Sequence, residues 1–469
     1  MGHAEGMESR HGLVTGATGY IGGLVVRRLL DEGWTVRVLA RDASKLPQDW
    51  AADVDVVEGD ATSGADLARA MDGMDVAWFL IHSMGDGPDF AAAEQRMAEE
   101  FGRAALDAGV GRIVYLGGLH PEGELSEHLA SRVKVGEILM ASGVPTAAVQ
   151  AGVVLGEGSA SYEMLRTLTE RLPGAAGPAW LRNEIQPIDA ADVVTYLTRA
   201  ADLPAELNRT FDVGGPDRLS YADMMRRFAE VTGLGPRPVI TAPVWTPGLA
   251  AHWIGLVTPV EAGLAGPLMA SVLHDTVVKE HDLDSLVAGP EGGPIGFDES
   301  VRRASRGHDS WRFAKVLGLC AAAVGATATA GALATDPDSW WYRTRSKPAW
   351  QPPAWVFAPV WTALYADIAV ISALHLTDAL EDDDRGEVKS YSGALAGNLA
   401  LNAGWCWAFF RSHRPRLATG VAAALAASSA DLVRRVGRRR ERGVVLSPYA
   451  AWTVFATALS AALARRNRH

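Results

Sequence analysis

Beyond Trp311 the chain becomes a succession of long, nearly charge-free blocks rich in alanine, and this feature constrains the fold more than any other. A helix needs about 20 predominantly apolar residues to cross a bilayer, and a soluble domain rarely carries several such stretches in a row. We therefore predict five membrane-spanning helices. The corresponding blocks are residues 316–334, 355–376, 391–410, 417–430 and 444–464.

The basic residues that flank these blocks predict an orientation. Clusters of arginine and lysine at 302–315 and 434–442 belong on one side of the membrane, and a smaller group at 343–347 belongs on the other. Because positively charged flanks favour the cytoplasmic side, we expect a multi-pass inner-membrane protein with a cytoplasmic N-terminal domain. Further arginines at 411–416 and 465–468 fall on the outer side and weaken this bias.

Before residue 311 the composition is that of a soluble domain. The net charge of −11 argues against a nucleic-acid-binding surface, which needs clustered lysine and arginine. Cys320 and Cys406 both lie in apolar blocks, so neither a disulfide framework nor a cysteine-based metal site is expected. Residues 1–10 lack an apolar run, so we expect a disordered N-terminus without a secretory signal.

A glycine-rich turn near the N-terminus indicates a dinucleotide-binding site. A short apolar strand at 11–14 leads into this turn, and an amphipathic helix follows it. The first glycine permits the tight turn, the second lets the backbone approach a pyrophosphate, and the third lets the helix pack against the strand. The turn consists of Thr15, Gly16, Ala17, Thr18, Gly19, Tyr20, Ile21 and Gly22.

Apolar strands and helical patterns alternate after the turn, which predicts a parallel sheet flanked by helices. The expected helices are at about 65–71 and 90–108. The fold class is therefore an α/β, doubly wound Rossmann-like domain followed by an all-α bundle. The further strands are expected at 35–39, 54–57, 76–80, 112–116 and 146–150.

Arg41 ends the second strand, at the position that distinguishes the two nicotinamide dinucleotides. An acidic residue there binds the ribose hydroxyl of NAD, whereas a basic one accommodates the 2′-phosphate of NADP. We therefore predict NADP as the cofactor, with NAD possible. The alternative is that Arg41 is a solvated loop charge.

The turn and the alternation resemble the atypical short-chain dehydrogenases, the branch of NmrA-like and NAD(P)H-binding-domain proteins. The resemblance covers roughly residues 12–213 and implies that Asp60 and Ala61 meet the adenine, while Leu80 and His82 lie along the nicotinamide ribose. For His82, a purely structural role as a polar loop residue stays open. We place the Rossmann domain at 11–215, and a substrate or lid segment and linker at 216–310 that includes a helix at 249–273.

The catalytic signature departs from that of the resembling family. Classical members place a serine after the fifth strand and a Tyr-x-x-x-Lys motif on the next helix. Here Gly117-Gly118 follows the strand, and Ala130 stands four residues before Lys134. The usual proton relay therefore has no named side chains, and the catalytic residues stay unassigned. His128 and Ser131 are either alternative proton donors or ordinary helix-surface and capping residues.

Three ordered aromatic motifs mark the apolar half, at 341–365, 402–410 and 447–456. They resemble the tryptophan-rich sensory protein family, also called the translocator or TspO/MBR family, over about 312–467. That resemblance implies five transmembrane helices, frequent dimers and a pocket that binds porphyrins and, in some members, sterols. Ser460 stands where many members have asparagine. The implied pocket residues are Tyr342, Trp361, Asn402 and Trp452.

Three hypotheses follow for the whole chain, with the family-like bundle placed at 311–469. In the first, a membrane-anchored NAD(P)H-binding domain is coupled to a bundle that binds a porphyrin or lipid, as a redox sensor or reductase. In the second, the chain is an active NADPH-dependent oxidoreductase of a hydrophobic substrate. In the third, it is a non-catalytic scaffold that tethers the Rossmann domain to the membrane. A homodimer through the bundle is possible.

Overall fold

The computed structural model describes residues 10–82, 90–121, 125–242, 255–258 and 274–467. The chain divides into two units, Met1–His308 and Asp309–His469. The expected disorder of residues 1–10 falls outside the described residues except for Arg10, and so does nearly all of the helix predicted at 249–273.

A seven-stranded, all-parallel sheet forms the centre of the first unit, in the order β11-β6-β5-β4-β1-β2-β3. The prediction of a parallel α/β domain is confirmed. The strand order reverses beside β1, and in such sheets ligands bind at the carboxyl ends of the strands at this switch point. The strands are β1 (His11–Thr15), β2 (Thr35–Ala40), β3 (Asp55–Glu58), β4 (Val76–Phe79), β5 (Arg112–Gly118), β6 (Thr146–Ala151), β7 (Val154–Leu155), β8 (Ala175–Pro178), β9 (Glu184–Ile185), β10 (Ile188–Asp189), β11 (Arg209–Val213), β12 (Leu219–Ser220) and β13 (Val239–Ala242).

Helices cover both faces of the sheet, because its central strands are apolar on both sides. In β4, Trp78 packs into the core cluster on one face, while Phe79 packs into the cluster on the other. The buried Trp78 indole donates a hydrogen bond to the carbonyl of Leu197 at 2.9 Å, so this large side chain leaves no unpaired donor. The helices of this unit are α1 (Tyr20–Asp31), α2 (Gly64–Met71), α3 (Phe90–Asp107), α4 (Glu127–Met140), α5 (Ala160–Arg171), α6 (Ala190–Arg199), α7 (Tyr221–Val231), α8 (Asp282–Leu286) and α9 (Phe297–Ala304).

A third apolar cluster lies under the segments that follow β6. Tyr162 of α5, Phe228 of α7 and Val301 of α9 are nearly fully buried in it. Ser220 caps α7 through a reciprocal hydrogen-bond pair with Asp223. Of these segments, the N-terminal end of α5 lies at the carboxyl ends of the central strands, because Ser161 lines the same cavity as Gly16 and Leu80.

Five long helices form the described part of the second unit, at the five positions where spanning helices were predicted. Four of them, α10, α12, α14 and α15, are long and apolar enough to cross a membrane. The third long helix, α13, falls outside that set; it carries Arg385, Glu387 and Lys389 near its N-terminus, and Asn398 and Asn402 further along. A π-helical turn, Trp407–Arg411, extends it. The helices are α10 (Arg312–Ala334), α11 (Trp340–Arg343), α12 (Ala354–Glu381), α13 (Arg385–Cys406), α14 (Pro415–Val436) and α15 (Arg440–Arg466).

Buried amides on α13 are paired within the bundle. The Tyr449 hydroxyl donates to Asn398 Oδ1 at 2.6 Å, and Asn398 Nδ2 donates to Ser429 Oγ at 3.1 Å. The Tyr365 hydroxyl donates to Asn402 Oδ1 at 2.8 Å. Because α12, α14 and α15 all supply partners, the polar face of α13 is stabilised in an apolar surrounding.

Candidate functional site

A cavity of about 760 Å³ opens at the carboxyl ends of the central strands of the first unit. Twelve residues were predicted to bind a dinucleotide, and eleven of them line this cavity. The exception is Ala17, whose side chain is buried in the core. The lining includes Gly16, Thr18, Gly19, Tyr20, Ile21, Gly22, Arg41, Asp60, Ala61, Leu80 and His82.

The glycines of the turn create the space for this cavity. Gly16 has a φ of 75°, and a Cβ there would lie 2.5 Å from the Leu80 carbonyl oxygen. A Cβ on Gly22 would overlap the carbonyl oxygen of Gly16. The turn therefore presses against both β4 and α1, and the N-terminal amides of α1 face the cavity. Such amides favour a bound anion, so this cradle fits a pyrophosphate.

Tyr20 packs in a recess beside the turn, where a Cβ on Gly156 would overlap its hydroxyl. Burial, together with the nearby carboxylates of Asp189 and Glu157, raises the pKa of Tyr20 to about 12. The phenol therefore stays protonated at neutral pH. It is available as a hydrogen-bond donor and not as a base.

The rim near β2 and β3 carries one carboxylate and one guanidinium. Asp60 Oδ1 accepts hydrogen bonds from the amide and the hydroxyl of Thr62, both at 2.8 Å. These bonds, assisted by the charge of Arg41, lower the pKa of Asp60 although partial burial opposes them. Arg41 itself is exposed and, among the described residues, makes no hydrogen bond or ion pair.

A second cavity, of about 200 Å³, adjoins the first. Residues that line both include Ile21, His82 and Leu116. Burial, with the positive charge of Arg132 nearby, holds the pKa of His82 well below its usual range. The His82 ring is therefore neutral at pH 7. The remaining polar lining of the second cavity comes from Glu94, His128, Arg132, Ser161 and Thr276.

The helix that would carry the catalytic motif, α4, presents different residues to this cavity. Lys134 points away: its ammonium pairs with Glu137 at 3.0 Å, and about half of its side chain is exposed. Ser131 donates a buried hydrogen bond to Glu94 at 2.6 Å. The ring of His128 stacks on Phe90, with centroids 4.6 Å apart, and lines the cavity.

Arg132 is a residue of this site that the sequence reasoning missed. A Cβ on Gly118 would lie 3.2 Å from its Nη1, so the guanidinium occupies space beside the glycine that ends β5. A signal was present, because Arg132 and His128 are four residues apart on a helix and therefore share a face. Both residues line the cavity, whereas Lys134 does not.

Aromatic side chains dominate the bundle of the second unit. Trp361 and Trp452 meet edge to face with ring centroids 6.5 Å apart, and Phe357 packs on Trp452 at 6.0 Å. Tyr342 packs on Phe410 at 5.3 Å. The structure thus brings Trp361 and Trp452 together. Tyr342 and Phe357 both pack against the buried cluster that contains Phe409.

The polar members of the predicted pocket are already engaged. Asn402 is 3% exposed, and it accepts the hydrogen bond from Tyr365. Trp405 Nε1 donates to Ser460 Oγ at 3.0 Å, so the serine at this position has a partner. The ligand contacts predicted for Tyr342, Trp361, Asn402 and Trp452 stay predictions.

Comparison with known proteins assigns both units. Residues 316–466 match the family model described as TspO/MBR family, and residues 16–167 match the one described as NAD(P)H-binding. The tryptophan-rich protein TspO of Chlorobaculum tepidum is 33% identical over 154 residues, covering 32% of this chain and 95% of that protein. The chain belongs to the TspO/MBR family. As a member of the TspO/MBR family with four candidate spans, it is a membrane protein.

The TspO/MBR domain is joined to a nicotinamide-dinucleotide-binding domain, so the predicted fusion is confirmed. A (4-alkanoyl-5-oxo-2,5-dihydrofuran-3-yl)methyl phosphate reductase of Streptomyces griseus is 29% identical over 229 residues, covering 47% of this chain and 73% of that protein. An NADPH-dependent quinone oxidoreductase of Escherichia coli, solved with NADPH, shares the fold with a TM-score of 0.51 at 18% identity. The alignment covers 62% of this TspO/MBR-family chain and 98% of that structure.

Proposed function

We propose that this chain is a membrane-anchored NADP(H)-dependent reductase whose bundle separately binds a flat hydrophobic ligand such as a porphyrin. One observation supports the reductase part of this proposal: the cavity that fits a dinucleotide adjoins a smaller cavity with polar groups. A pure redox sensor needs only the first cavity. The second gives a substrate a place beside the nicotinamide end of the site.

The choice of NADP over NAD rests on Arg41. Its guanidinium lies on the rim beside Asp60 and Thr62 and has no partner among the described residues. An unpaired guanidinium suits a phosphate through paired, charge-assisted hydrogen bonds.

The chemistry of the second cavity is set by α4 and the end of β5. A bound reduced nicotinamide would supply a hydride. Arg132 lies over Gly118 and would bind an oxygen of the substrate. His128 lines the cavity without a hydrogen-bond partner among the described residues, so its ring nitrogen would give the proton that the absent tyrosine cannot.

The test of the cofactor assignment exchanges one charge on the rim. Arg41→Asp in the detergent-purified chain should reverse the preference for NADPH over NADH, with at least about a tenfold change in the ratio of dissociation constants, or about 1.4 kcal/mol. Lys45→Asp is the matched control, because Lys45 lies in the same loop, is 73% exposed and does not line the cavity. Equal affinities for both cofactors in every variant would show that the assignment is wrong.

The ligand of the bundle is proposed from its aromatic faces. Flat rings stack on a macrocycle, and truncation of a well-packed aromatic contact costs on the order of 2 kcal/mol at a binding hot spot. Trp361→Ala and Trp452→Ala should each weaken protoporphyrin binding at least about tenfold, measured by porphyrin absorbance. Trp340→Ala is the control, since that side chain is 79% exposed. Unchanged affinity in the double variant would mean that both tryptophans are membrane anchors.

A further inference from the structure

The second cavity contains a positive charge that no described residue neutralises. Arg132 lines the cavity, yet within the described ranges no carboxylate forms an ion pair with it and no acceptor takes a hydrogen bond from its guanidinium. A partly buried guanidinium without a partner loses hydration and gains nothing in return. Such a guanidinium is stabilised when a ligand supplies the missing hydrogen-bond acceptor.

The other ionisable groups of the lining do not fill this role. The carboxylate of Glu94 accepts a hydrogen bond from Ser131 at 2.6 Å and forms no ion pair with Arg132. His82 is kept neutral by burial and by Arg132 itself. His128 lies one helical turn before Arg132 on the same face of α4 and stacks on Phe90. The Gly118 side of the cavity therefore presents one unpaired cation.

We infer that the second cavity binds a small substrate that carries a carboxylate or phosphate group, which Arg132 holds. This inference rests on the proposed reductase function, because it names the substrate class of the same site. A planar guanidinium offers two parallel hydrogen bonds to such an anion. Gly118 leaves space beside Nη1, because a Cβ on this residue would lie 3.2 Å from that atom.

The rest of the lining limits the body of that substrate. Leu116, Leu119, Leu129 and Val153 supply apolar walls. The volume of about 200 Å³ lies below the usual range for drug-sized ligands, about 300 to 1,000 Å³. A compact apolar body, about the size of one six-membered ring with one anionic end, matches these dimensions.

The test compares two probes of equal shape. Benzoate and benzamide differ by a negative charge, and both are titrated by calorimetry into the full-length protein in detergent, with and without saturating NADP⁺. The wild-type chain should bind benzoate at least about tenfold more tightly than benzamide. Phenyl phosphate, titrated in parallel, shows whether a carboxylate or a phosphate is preferred. Equal affinity for benzoate and benzamide in the wild-type chain overturns the inference without any variant.

Variants then assign the effect to one side chain. Arg132→Met should remove the preference for benzoate, and Arg132→Lys should retain part of it. Lys134→Met is the matched control, because that ammonium lies on the same helix, is paired with Glu137 and lines neither cavity. A lower melting temperature of Arg132→Met with an unchanged preference for benzoate would make Arg132 structural and overturn the inference.

Cofactor binding is measured separately, so the two proposals fail in different ways. NADPH binding without any preference for benzoate contradicts the anionic substrate and leaves the dinucleotide site intact. An Arg132-dependent preference for benzoate in a protein that binds neither NADPH nor NADH contradicts the reductase and supports the anion site.

Discussion

Among the glycines of the dinucleotide turn, Gly22 leaves the least space for a side chain, and Gly22→Ala tests whether the turn needs a glycine there. A Cβ at this position would overlap the Gly16 carbonyl oxygen and lie 2.7 Å from the Gly16 carbonyl carbon and 3.1 Å from Ala17 Cα. All three atoms belong to the backbone, so no side-chain rotation relieves the clash. The turn and α1 must move apart.

The cost follows from the size of that displacement. Overpacking by one methyl group in a tightly packed region typically costs about 1 to 3 kcal/mol. The same shift moves the first-turn amides of α1 away from the pyrophosphate position. Gly22→Ala should therefore weaken NADPH binding at least about tenfold, which corresponds to about 1.4 kcal/mol.

Gly23→Ala is the matched control on the same helix. The nearest atom to its added Cβ would be the Ala17 carbonyl oxygen at 3.4 Å, which is ordinary contact. Because glycine inside a helix is less stable than alanine by roughly 0.5 to 1 kcal/mol, this variant should bind NADPH normally and unfold at an equal or higher temperature. NADPH titration and thermal unfolding check both variants. A Gly22→Ala protein with the affinity and melting temperature of Gly23→Ala would refute the reasoning.

Three other experiments test the rest of the chain. Lys134→Met should leave NADPH affinity and any reductase turnover unchanged, because the ammonium faces solvent beside Glu137; loss of turnover would restore the usual lysine role. Tyr449→Phe should lower the melting temperature in detergent, since the hydroxyl partner of Asn398 is lost at a cost of about 1 kcal/mol; an unchanged transition would mean that the amide finds another partner. The full-length chain should stay in the pellet after alkaline carbonate extraction, with protease cutting the N-terminal unit only from the cytoplasmic side; release into the supernatant would contradict membrane insertion.

Periodicity predicted the elements well because burial determines it. The fourth strand, expected at 76–80, is found as Val76–Phe79, and all four of its side chains are buried. The turn after the first strand was equally readable, because few residues other than glycine tolerate the φ of Gly16. Local patterns of this kind depend on only a few neighbouring residues.

The second cavity was harder to predict because it depends on contacts between distant segments. The pairing of Ser131 with Glu94 requires α3 and α4 to lie side by side, and the sequence spacing of these two residues does not reveal it. The exposure of Lys134 likewise depends on how α4 turns relative to β5. In the bundle, the polar residues of α13 lower its hydropathy, and their partners on α12, α14 and α15 become apparent only in three dimensions.

The position of β11 has a consequence for biosynthesis. Arg209–Val213 pairs with β6, and the chain that separates the two strands makes up α5, α6 and several short strands. During translation, Thr146–Ala151 therefore emerges long before its edge is covered, and an uncovered strand edge recruits other strands. Nascent chains stalled between residues 151 and 209 should depend on chaperones more than those stalled after residue 213. The last strand of the seven-stranded sheet is synthesised before the first apolar helix, α10, which begins at Arg312.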